Sequence, residues 1–394
     1  MPGGTITIGL ALSITGEDAP DGVPAENGAD LAIKNAGLVC GASSHQDACF
    51  RLQAAARDDV VAGIHDPARG EQNISRFVDD AGVLAVVGPL YDSVASREIP
   101  VASAAGLTLV SPAATNECLT QEPADGHCGG LAQRLRPSGA STFFRVVPTQ
   151  LSEGDAGADL AYRRLARRRA YVLNDGTAFS AGLARRFAAR FARDSGTVAN
   201  PADLGPVDPA ASSFSRQLDA ARRAGADVVY FPATLASTAA VARLAMRDSL
   251  PGVPFISADR IATNQFAKLA DGNAGGSYYT VARPYAPKLA TAAGMARRYL
   301  AEYGKPPGDY SLTSFEATNI VIAAIGRAID DAGGRMPTRQ QVLKETAQTR
   351  NYAGAMGTMS FDDRGDTTLH LVTVFEWRSA ADVTGQFVDE IRIE

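Results

Sequence analysis

The chain has 394 residues, which is too many for one ordinary hydrophobic core and about right for two. Hydrophobic residues make up 45% and charged residues 21%, a composition that excludes an intrinsically disordered protein. The formal net charge is −5 and the basic residues are scattered along the chain, which disfavours a nucleic-acid partner.

Apolar runs typical of strands alternate with amphipathic runs typical of helices. The first predicted elements are strand Thr5–Leu12, helix Pro24–Ala36, strand Phe50–Ala56, helix Pro67–Asp80, strand Leu84–Gly88, helix Ala95–Ala105 and strand Leu107–Ser111. After the long loop Asn116–Thr142, strands are predicted at Phe143–Pro148, Ala170–Asn174, Thr197–Leu204, Val228–Pro232 and Phe255–Ala258, followed by helices Thr291–Tyr303 and Thr313–Ala332. This regular alternation predicts an α/β protein with parallel sheets built from βαβ units.

Two Rossmann-like lobes joined by three crossing segments explain this pattern better than one long sheet. The crossings are expected near residues 145–154, 275–283 and 357–366. On this division residues 1–147 and 280–356 form an N-terminal lobe, and residues 148–279 and 357–394 form a C-terminal lobe. A ligand cleft is expected between the two lobes, outside the carboxyl ends of the strands.

The four cysteines fall into two local pairs. Cys40 and Cys49 flank one polar loop, and Cys118 and Cys128 flank another. This arrangement predicts two disulfides, and therefore an oxidising, extracytoplasmic compartment. The alternative is a zinc site with the nearby histidines, but neither pair has a CxxC-type spacing, so no metal is expected.

The N-terminal sequence Met1-Pro2-Gly3-Gly4 runs directly into the first predicted strand, without a basic or an apolar leader region. Such a start fits a cytosolic protein, or an exported protein whose signal peptide is missing from this sequence. Because the cysteine pattern predicts disulfides, we expect an exported protein, either periplasmic or anchored at the cell surface by a lipid.

Sequence motifs of common enzymes are missing. The turn after the first strand reads Ser13-Ile14-Thr15-Gly16-Glu17-Asp18, which lacks the GxGxxG fingerprint of dinucleotide-binding enzymes. There is also no Walker A lysine, no GxSxG elbow and no HExxH helix. The sequence therefore predicts a protein that is not an enzyme and has no cofactor.

Three stretches carry the functional prediction: Val87–Tyr91 (VGPLY), Val110–Asn116 (VSPAATN) and Gly357–Asp366 (GTMSFDDRGD). The first two place a turn between a strand and a helix, where unpaired backbone N–H groups can bind an anion. Together the three stretches resemble the type I periplasmic solute-binding proteins, in the branched-chain amino acid (Leu/Ile/Val-binding) branch that feeds ABC transporters. The resemblance covers nearly the whole chain and is specific at these motifs.

The resemblance implies where a ligand carboxylate binds. In the family it is held by a serine after the third strand and by the SPxxT turn, which Ala113 and Thr115 match. An ungapped match puts Asp92 at the serine position, whereas a shift of one residue puts Ser93 there. If Asp92 faces the cleft, it repels a carboxylate and favours a ligand with a cationic or amide group.

The resemblance also implies contacts from the second lobe. Asp259 occupies the position of the acidic residue that binds the ligand ammonium, although it could instead pair with its neighbour Arg260. Thr234 lies in the turn after another strand of the same lobe.

Aromatic positions of the family pocket are matched by Phe179 and Phe315, for which packing in a core is the alternative role. Asp21 stands where the family has a pocket tyrosine. This departure, together with Asp92, makes a polar or basic amino acid, a polyamine, an amide or an aromatic acid an alternative to a branched-chain amino acid.

The resemblance thus implies a monomeric, extracytoplasmic receptor that closes around one small solute and delivers it to a membrane ABC permease. The same fold also serves as the ligand-binding module of sensors, so a sensor remains the rival interpretation.

Overall fold

The computed structural model describes residues 3–123, 126–379, 382 and 384–393, and its chain forms two compact units. Unit 1 contains the chain up to Pro148 together with Tyr285–Leu369. Unit 2 contains Thr149–Pro284 together with the chain from His370 onward. Each unit consists of a sheet and helices, which confirms the predicted α/β class.

Strands are numbered in chain order. They are β1 (Thr5–Leu12), β2 (Leu38–Cys40), β3 (Cys49–Asp58), β4 (Val60–Val61), β5 (Ile64–His65), β6 (Val83–Val87), β7 (Thr108–Ser111), β8 (Phe143–Arg145), β9 (Arg169–Val172), β10 (Thr197–Val198), β11 (Val228–Tyr230), β12 (Phe255–Ser257), β13 (Ser277–Val281), β14 (Tyr352–Gly354), β15 (Gly357–Met359), β16 (Leu371–Trp377) and β17 (Gln386–Arg392).

The α-helices are α1 (Ala19–Ala36), α2 (Pro67–Asp79), α3 (Asp92–Ala105), α4 (Leu131–Arg134), α5 (Leu151–Asp159), α6 (Ala178–Arg193), α7 (Ser215–Arg223), α8 (Ala236–Ser249), α9 (Asn264–Leu269), α10 (Ala293–Tyr303), α11 (Ser311–Asp331) and α12 (Arg339–Ala347). A π-helical segment, Leu160–Arg164, continues α5.

The sheet of unit 1 has the strand order β2-β3-β1-β6-β7-β8. Strands β3, β1, β6, β7 and β8 run parallel, and β2 pairs antiparallel with β3. Every residue of β6 and β7 is buried, as expected for inner strands of a parallel sheet covered by helices. The carboxyl ends of β1, β3, β6 and β7 therefore meet at one edge of the sheet.

The sheet of unit 2 has the strand order β10-β9-β11-β12-β13-β16-β17. Its first five strands in this order run parallel, whereas β16 and β17 are antiparallel additions that the sequence analysis did not identify as a pair. Both sheets are therefore mixed rather than purely parallel.

The third passage between the units comes after Leu369, later than the predicted crossing at 357–366. The segment 357–359 forms strand β15, which pairs with β14 as a hairpin in unit 1. Glu316 of α11 holds the turn of this hairpin, because its Oε2 accepts the N–H groups of Ala355 at 2.7 Å and Met356 at 3.3 Å. These contacts place residues 357–369 in unit 1, which corrects their assignment to the C-terminal lobe.

The second passage also lies later than expected, between Pro284 and Tyr285. Residues 280 and 281 are the last two of β13, which pairs with β12 and β16 in the sheet of unit 2. Residues 280–284 therefore belong to unit 2 rather than to the N-terminal lobe.

Helix α11 is the 21-residue helix Ser311–Asp331 of unit 1. By length and composition it could cross a membrane, but most of it is buried within the protein. It packs against α1, and at Gly28 an added β-carbon would lie 2.1 Å from the carbonyl oxygen of Ser311. The two backbones can approach this closely only because residue 28 has no side chain.

Arg145, at the end of β8, is completely buried and connects distant parts of unit 1. Its Nε donates to Asp366 Oδ1 at 2.6 Å, and its Nη1 donates to the carbonyl oxygens of Asn116 at 2.7 Å and Ala114 at 3.2 Å. Thr120 Oγ1 accepts from Arg145 Nη2 and donates to Asp366 Oδ2 at 2.9 Å. The guanidinium thus joins the turn after β7 to the segment before Leu369.

We expect Gly28→Ala to lower the free energy of unfolding by about 1–3 kcal/mol, because the new methyl group forces α1 away from α11. Urea denaturation measures this change. The matched control is Gly294→Ala in α10, where no atom of the described chain lies within 4 Å of an added β-carbon. Equal stability of the two variants would contradict the close packing at residue 28.

We expect Asp366→Asn to lower the free energy of unfolding by about 3–5 kcal/mol, because it leaves the buried Arg145 charge without its counter-ion. Asp363→Asn removes the same charge from an exposed residue three positions away and serves as the control in the same urea titration. A loss in Asp366→Asn no larger than that of the control would show that the buried pair contributes little.

Candidate functional site

The turns after β6 and β7 form one end of unit 1. Ser111, the last residue of β7, links them, because its Oγ donates to the carbonyl oxygen of Pro89 at 2.7 Å. The same Oγ accepts the N–H groups of Ala113 at 3.2 Å and Ala114 at 2.9 Å. The VSPAATN turn is therefore held by its own serine, and its Ala113 and Thr115 are half-buried.

Asp92, the first residue of α3, lies against this turn. Its Oδ1 accepts the backbone N–H of Asn116 at 3.0 Å, and its side chain is half-buried. Ser93 is exposed, and its carbonyl oxygen accepts a hydrogen bond from Ser96 within the same helix. Of the two alternatives left open by the sequence, Asp92 is the residue that contacts the turn.

A cluster of Asp18, His65 and Tyr91 lies next to Asp92 and was missed by the sequence analysis. Tyr91 Oη donates to Asp18 Oδ1 at 2.9 Å, and the backbone N–H of His65 donates to Asp18 Oδ2 at 2.5 Å. The rings of His65 and Tyr91 stack with their centroids 3.8 Å apart. Tyr91 ends the VGPLY motif, but Asp18 lies in the segment after β1 and His65 lies in β5, and no local pattern connects either of them to Tyr91.

The surroundings of Tyr91 are acidic. Burial and the nearby carboxylates of Asp21 and Asp18 raise the pKa of Tyr91 far above its usual value. Asp21 therefore lies near Tyr91, and its role in ligand binding stays a prediction. Tyr310, the residue before α11, also raises the pKa of Tyr91, so α11 begins near this cluster. Phe315, in the second turn of α11, is half-buried.

Asp58, the last residue of β3, and Asp59, which follows it, have different surroundings. Asp58 is hydrogen-bonded to the loop after β1, because it accepts the N–H of Ile14 at 2.9 Å and the hydroxyl of Thr15. Asp59 is completely buried, and neither of its carboxylate oxygens has a hydrogen-bond partner within the part of the chain that the structure describes.

Burial raises the pKa of Asp59 to about 6. The hydroxyl of Ser13 opposes this rise, and the negative charge of Asp58 adds to it. Burial also raises the pKa of Glu98, a completely buried residue of α3, and the charge of Asp59 adds to this rise. Both carboxyl groups are therefore harder to ionise in the folded protein than in the unfolded chain.

In unit 2, the residues predicted from the resemblance lie at the ends of β9, β11 and β12. Asp175 accepts the N–H of Thr234 at 2.6 Å and the hydroxyl of Thr177 at 2.6 Å, and the two threonine hydroxyls lie 2.8 Å apart. Thr234 is therefore bound to the loop that caps α6, the helix that contains Phe179.

Asp259 lies between basic and acidic neighbours. Its Oδ1 is 3.7 Å from Arg260 Nε, and its N–H donates to Glu153 Oε2 at 3.2 Å. The guanidinium of Arg260 lies over the ring of Phe179, 5.4 Å from its centroid. The structure thus brings Asp259, Arg260 and Phe179 together. The ion pair between Asp259 and Arg260, which the sequence left open, does form, with a long separation of 3.7 Å between the charged atoms.

Burial raises the pKa of Asp259, while the charges of Arg260 and Arg283 oppose this rise. Glu153 is buried beneath Asp259, and burial together with the charge of Asp259 raises the pKa of Glu153 well above its usual value. Helix α5 also contains Asp155 and Asp159, so its sequence gave no signal that singled out Glu153.

The two predicted disulfides, Cys40–Cys49 and Cys118–Cys128, are confirmed. Cys118, Cys128 and His127 come close enough to share a metal, but the two sulfurs are bonded to each other and cannot act as thiolate ligands. His127 Nε2 instead lies 3.0 Å from Glu117 Oε1, and His45 Nδ1 lies 3.5 Å from Asp330 Oδ1.

Residues 5–382 match the sequence model of a family described as periplasmic binding protein. The chain belongs to this family. The family consists of solute-binding proteins rather than enzymes, its members bind small molecules and work with ABC transporter permeases, and its name implies an extracytoplasmic location. The predicted family, fold class and non-enzymatic role are thereby confirmed.

Relatives share low identity over nearly the whole chain. The Leu/Ile/Val-binding protein homolog 1 of Brucella abortus is 23% identical over 387 residues, which cover 98% of this chain and 94% of the relative. A leucine-binding protein LivK from Thermotoga maritima has a similar structure, with 21% identity, a TM-score of 0.69 and 98% coverage of both chains.

Solved structures with the same fold hold different ligands. LivJ from Streptococcus pneumoniae, in complex with isoleucine, has a TM-score of 0.67 at 18% identity and covers 98% of this chain and 99% of its own. A solute-binding protein from Rhodopseudomonas palustris, in complex with benzoate, has a TM-score of 0.63 at 15% identity, with 98% and 96% coverage. At this identity the likeness shows the fold and leaves the ligand to be argued from the residues.

We expect Asp59→Asn to raise the free energy of unfolding by ~1–3 kcal/mol near neutral pH. A carboxyl with a raised pKa in the folded state destabilises the protein as the pH rises from about 4, its unfolded pKa, to about 6. The gain of the variant over the parent should therefore grow across this window and stay constant above it.

Urea titrations at several pH values across that window measure the gain. Asp47→Asn, on an exposed loop of unit 1, is the control and should give no pH-dependent gain. A difference between Asp59→Asn and the parent that does not change with pH would show that Asp59 is ionised in the folded protein throughout.

Proposed function

We propose that the protein is the solute-binding component of an ABC importer and captures an amino acid or a related small polar solute. The observation that carries this proposal is the family match over residues 5–382, supported by fold similarity to amino-acid-binding proteins over 98% of the chain. In this proposal the solute takes contacts from both units, which close around it by hinge motion and present the closed form to a membrane permease.

The residues proposed for this role come from strand ends in each unit. Unit 1 contributes Asp92 and the turn with Thr115, and unit 2 contributes Asp259 beside Phe179. Polar groups at the carboxyl ends of parallel strands are where α/β folds usually bind ligands, which supports the assignment. The remaining predicted residues, namely Asp21, Ser93, Ala113, Thr234 and Phe315, are proposed as lesser contributors.

The two disulfides support a location outside the cytoplasm, because such bonds persist in oxidising compartments. We propose that the protein acts there as a monomer, free in the periplasm or attached to the cell surface by a lipid.

The proposal is tested by measuring the melting temperature of the protein with each proteinogenic amino acid, polyamines, small amides and aromatic acids. A solute that binds only the folded state raises the melting temperature. If no compound of these classes raises it, the proposed ligand class is wrong.

For the solute found in this screen, we expect Thr115→Val and Asp259→Asn each to weaken binding by about 1–3 kcal/mol, because each removes a polar contact at a desolvated site. Isothermal titration calorimetry measures the loss. Thr358→Val and Asp363→Asn, which make the same changes at exposed residues, are the controls. Parent-like binding by both site variants would place the ligand elsewhere.

A further inference from the structure

A pocket of about 430 Å³ lies within unit 1, between the loop that the Cys118–Cys128 disulfide closes and the segment before Leu369. This volume suits a small molecule. The polar residues that line the pocket are Thr120, Gln121, Glu122, Gln133, Arg136 and Arg364. None of them is among the residues predicted to bind the transported solute, so the pocket is a separate feature of this unit.

Arg136 lines the pocket with a guanidinium whose position is fixed. The side chain is half-buried, and its Nη2 donates to the carbonyl oxygens of Thr120 and Arg364, each at 3.0 Å. Its Nε and Nη1 donate to no acceptor in the part of the chain that the structure describes, and both atoms are accessible to solvent. The three N–H groups of these two atoms are therefore available to a ligand.

Arg364 brings a second guanidinium to the same pocket. Its Nη1 donates to Gln121 Oε1 at 2.9 Å, and its carbonyl oxygen is one of the two acceptors of Arg136 Nη2. The side chain is exposed, and its charge acts on the pKa of Arg136. Neither guanidinium forms an ion pair with a carboxylate of the described residues.

The carboxylates that act most strongly on Arg136 already have other partners. Burial lowers the pKa of Arg136, and the charges of Asp366 and Asp362 oppose this fall. However, Asp366 Oδ1 accepts from Arg145 Nε at 2.6 Å, and Asp362 Oδ1 accepts the backbone N–H groups of Arg364 at 2.9 Å and Asp366 at 2.8 Å. The charges of Arg145 and Arg364 lower the pKa of Arg136 further. Of these five charged groups, three are positive.

Glu122 is the acidic residue that lines the pocket, and its carboxylate is used by the disulfide loop. Its Oε1 accepts the N–H of Cys128 at 3.0 Å, and its Oε2 accepts the N–H of Gly130 at 2.6 Å. Because the side chain is exposed and bound to the loop, its charge opposes an anion in the pocket without neutralising either guanidinium. Removal of this charge should therefore strengthen the binding of an anion.

We propose that this pocket is a second ligand site, which binds a small carboxylate or phosphate oxyanion through the guanidinium groups of Arg136 and Arg364. The planar N–H donors of arginine match the oxygen atoms of carboxylates and phosphates, and such charge-assisted hydrogen bonds are roughly twice as strong as neutral ones. Both side chains are already held by other contacts, so a ligand has less side-chain motion to restrict.

Isothermal titration calorimetry of the protein with inorganic phosphate and with succinate, at an ionic strength held constant with sodium chloride, tests the proposal. Succinamide, in which neutral amides replace both carboxylates, is the matched negative probe. The site variants are Arg136→Gln, Arg364→Gln and Glu122→Gln. Arg76→Gln, at an exposed residue of α2 outside the pocket, is the charge-matched control.

We expect the parent to bind phosphate, succinate or both saturably and not to bind succinamide, and the oxyanion that binds identifies the ligand class. Arg136→Gln and Arg364→Gln should each weaken this binding by about tenfold or more, while Arg76→Gln leaves it unchanged. Glu122→Gln should tighten it by about twofold to fivefold, because a repulsive exposed charge is removed.

The variants separate a lost site from a lost fold. Arg136 also joins two backbone carbonyl groups, so its substitution could destabilise the loop, and the melting temperature without ligand measures this effect. Arg364 is exposed, and Glu122→Gln is expected to increase affinity, which misfolding cannot imitate. The proposal is overturned if neither oxyanion binds the parent, if succinamide binds equally well, or if Arg364→Gln keeps the affinity of the parent.

Discussion

The buried charge of Arg145 is the interaction on which the framework of the unit 1 site depends. A guanidinium withdrawn from water is tolerated only when a counter-ion and hydrogen-bond acceptors surround it. Asp366 supplies the counter-ion, and the carbonyl oxygens of Ala114 and Asn116 supply acceptors, so three segments far apart in the chain must be in place together. The VSPAATN turn is consequently stabilised through its carbonyl oxygens by a guanidinium that has no access to solvent.

The consequence of this framework is that the turn has little polarity left to offer a ligand. Arg145 binds its carbonyl oxygens, Ser111 binds two of its N–H groups, and Asp92 binds a third. The side chain beside the turn is that of Asp92, the first residue of α3. In unit 2 the comparable strand ends combine an acidic residue, Asp259, with the guanidinium of Arg260 stacked on Phe179. The two units therefore differ in the charges that they present.

Much of the fold could be predicted because its signals are local. The apolar runs of β6 and β7 and the amphipathic run of α2 have the periods of a strand and a helix, and the cysteines flank short loops. The antiparallel strands β16 and β17 and the late third passage were not predictable in the same way. The pairing of β13 with β16 joins residues about a hundred positions apart, and Arg145 and Asp366 lie 221 positions apart, so no local period records either contact.

The sequence by itself determined the α/β class, the disulfides, the family and the residue types at each strand end. It could not decide between Asp92 and Ser93, because a shift of one residue at the start of α3 turns a different side chain toward the turn. Nor could it show that Asp18, His65 and Tyr91 meet, or that Asp59 is buried while its neighbour Asp58 is bonded to the loop after β1. Those outcomes belong to the tertiary structure, because side-chain direction and burial depend on contacts between segments that are remote in the chain.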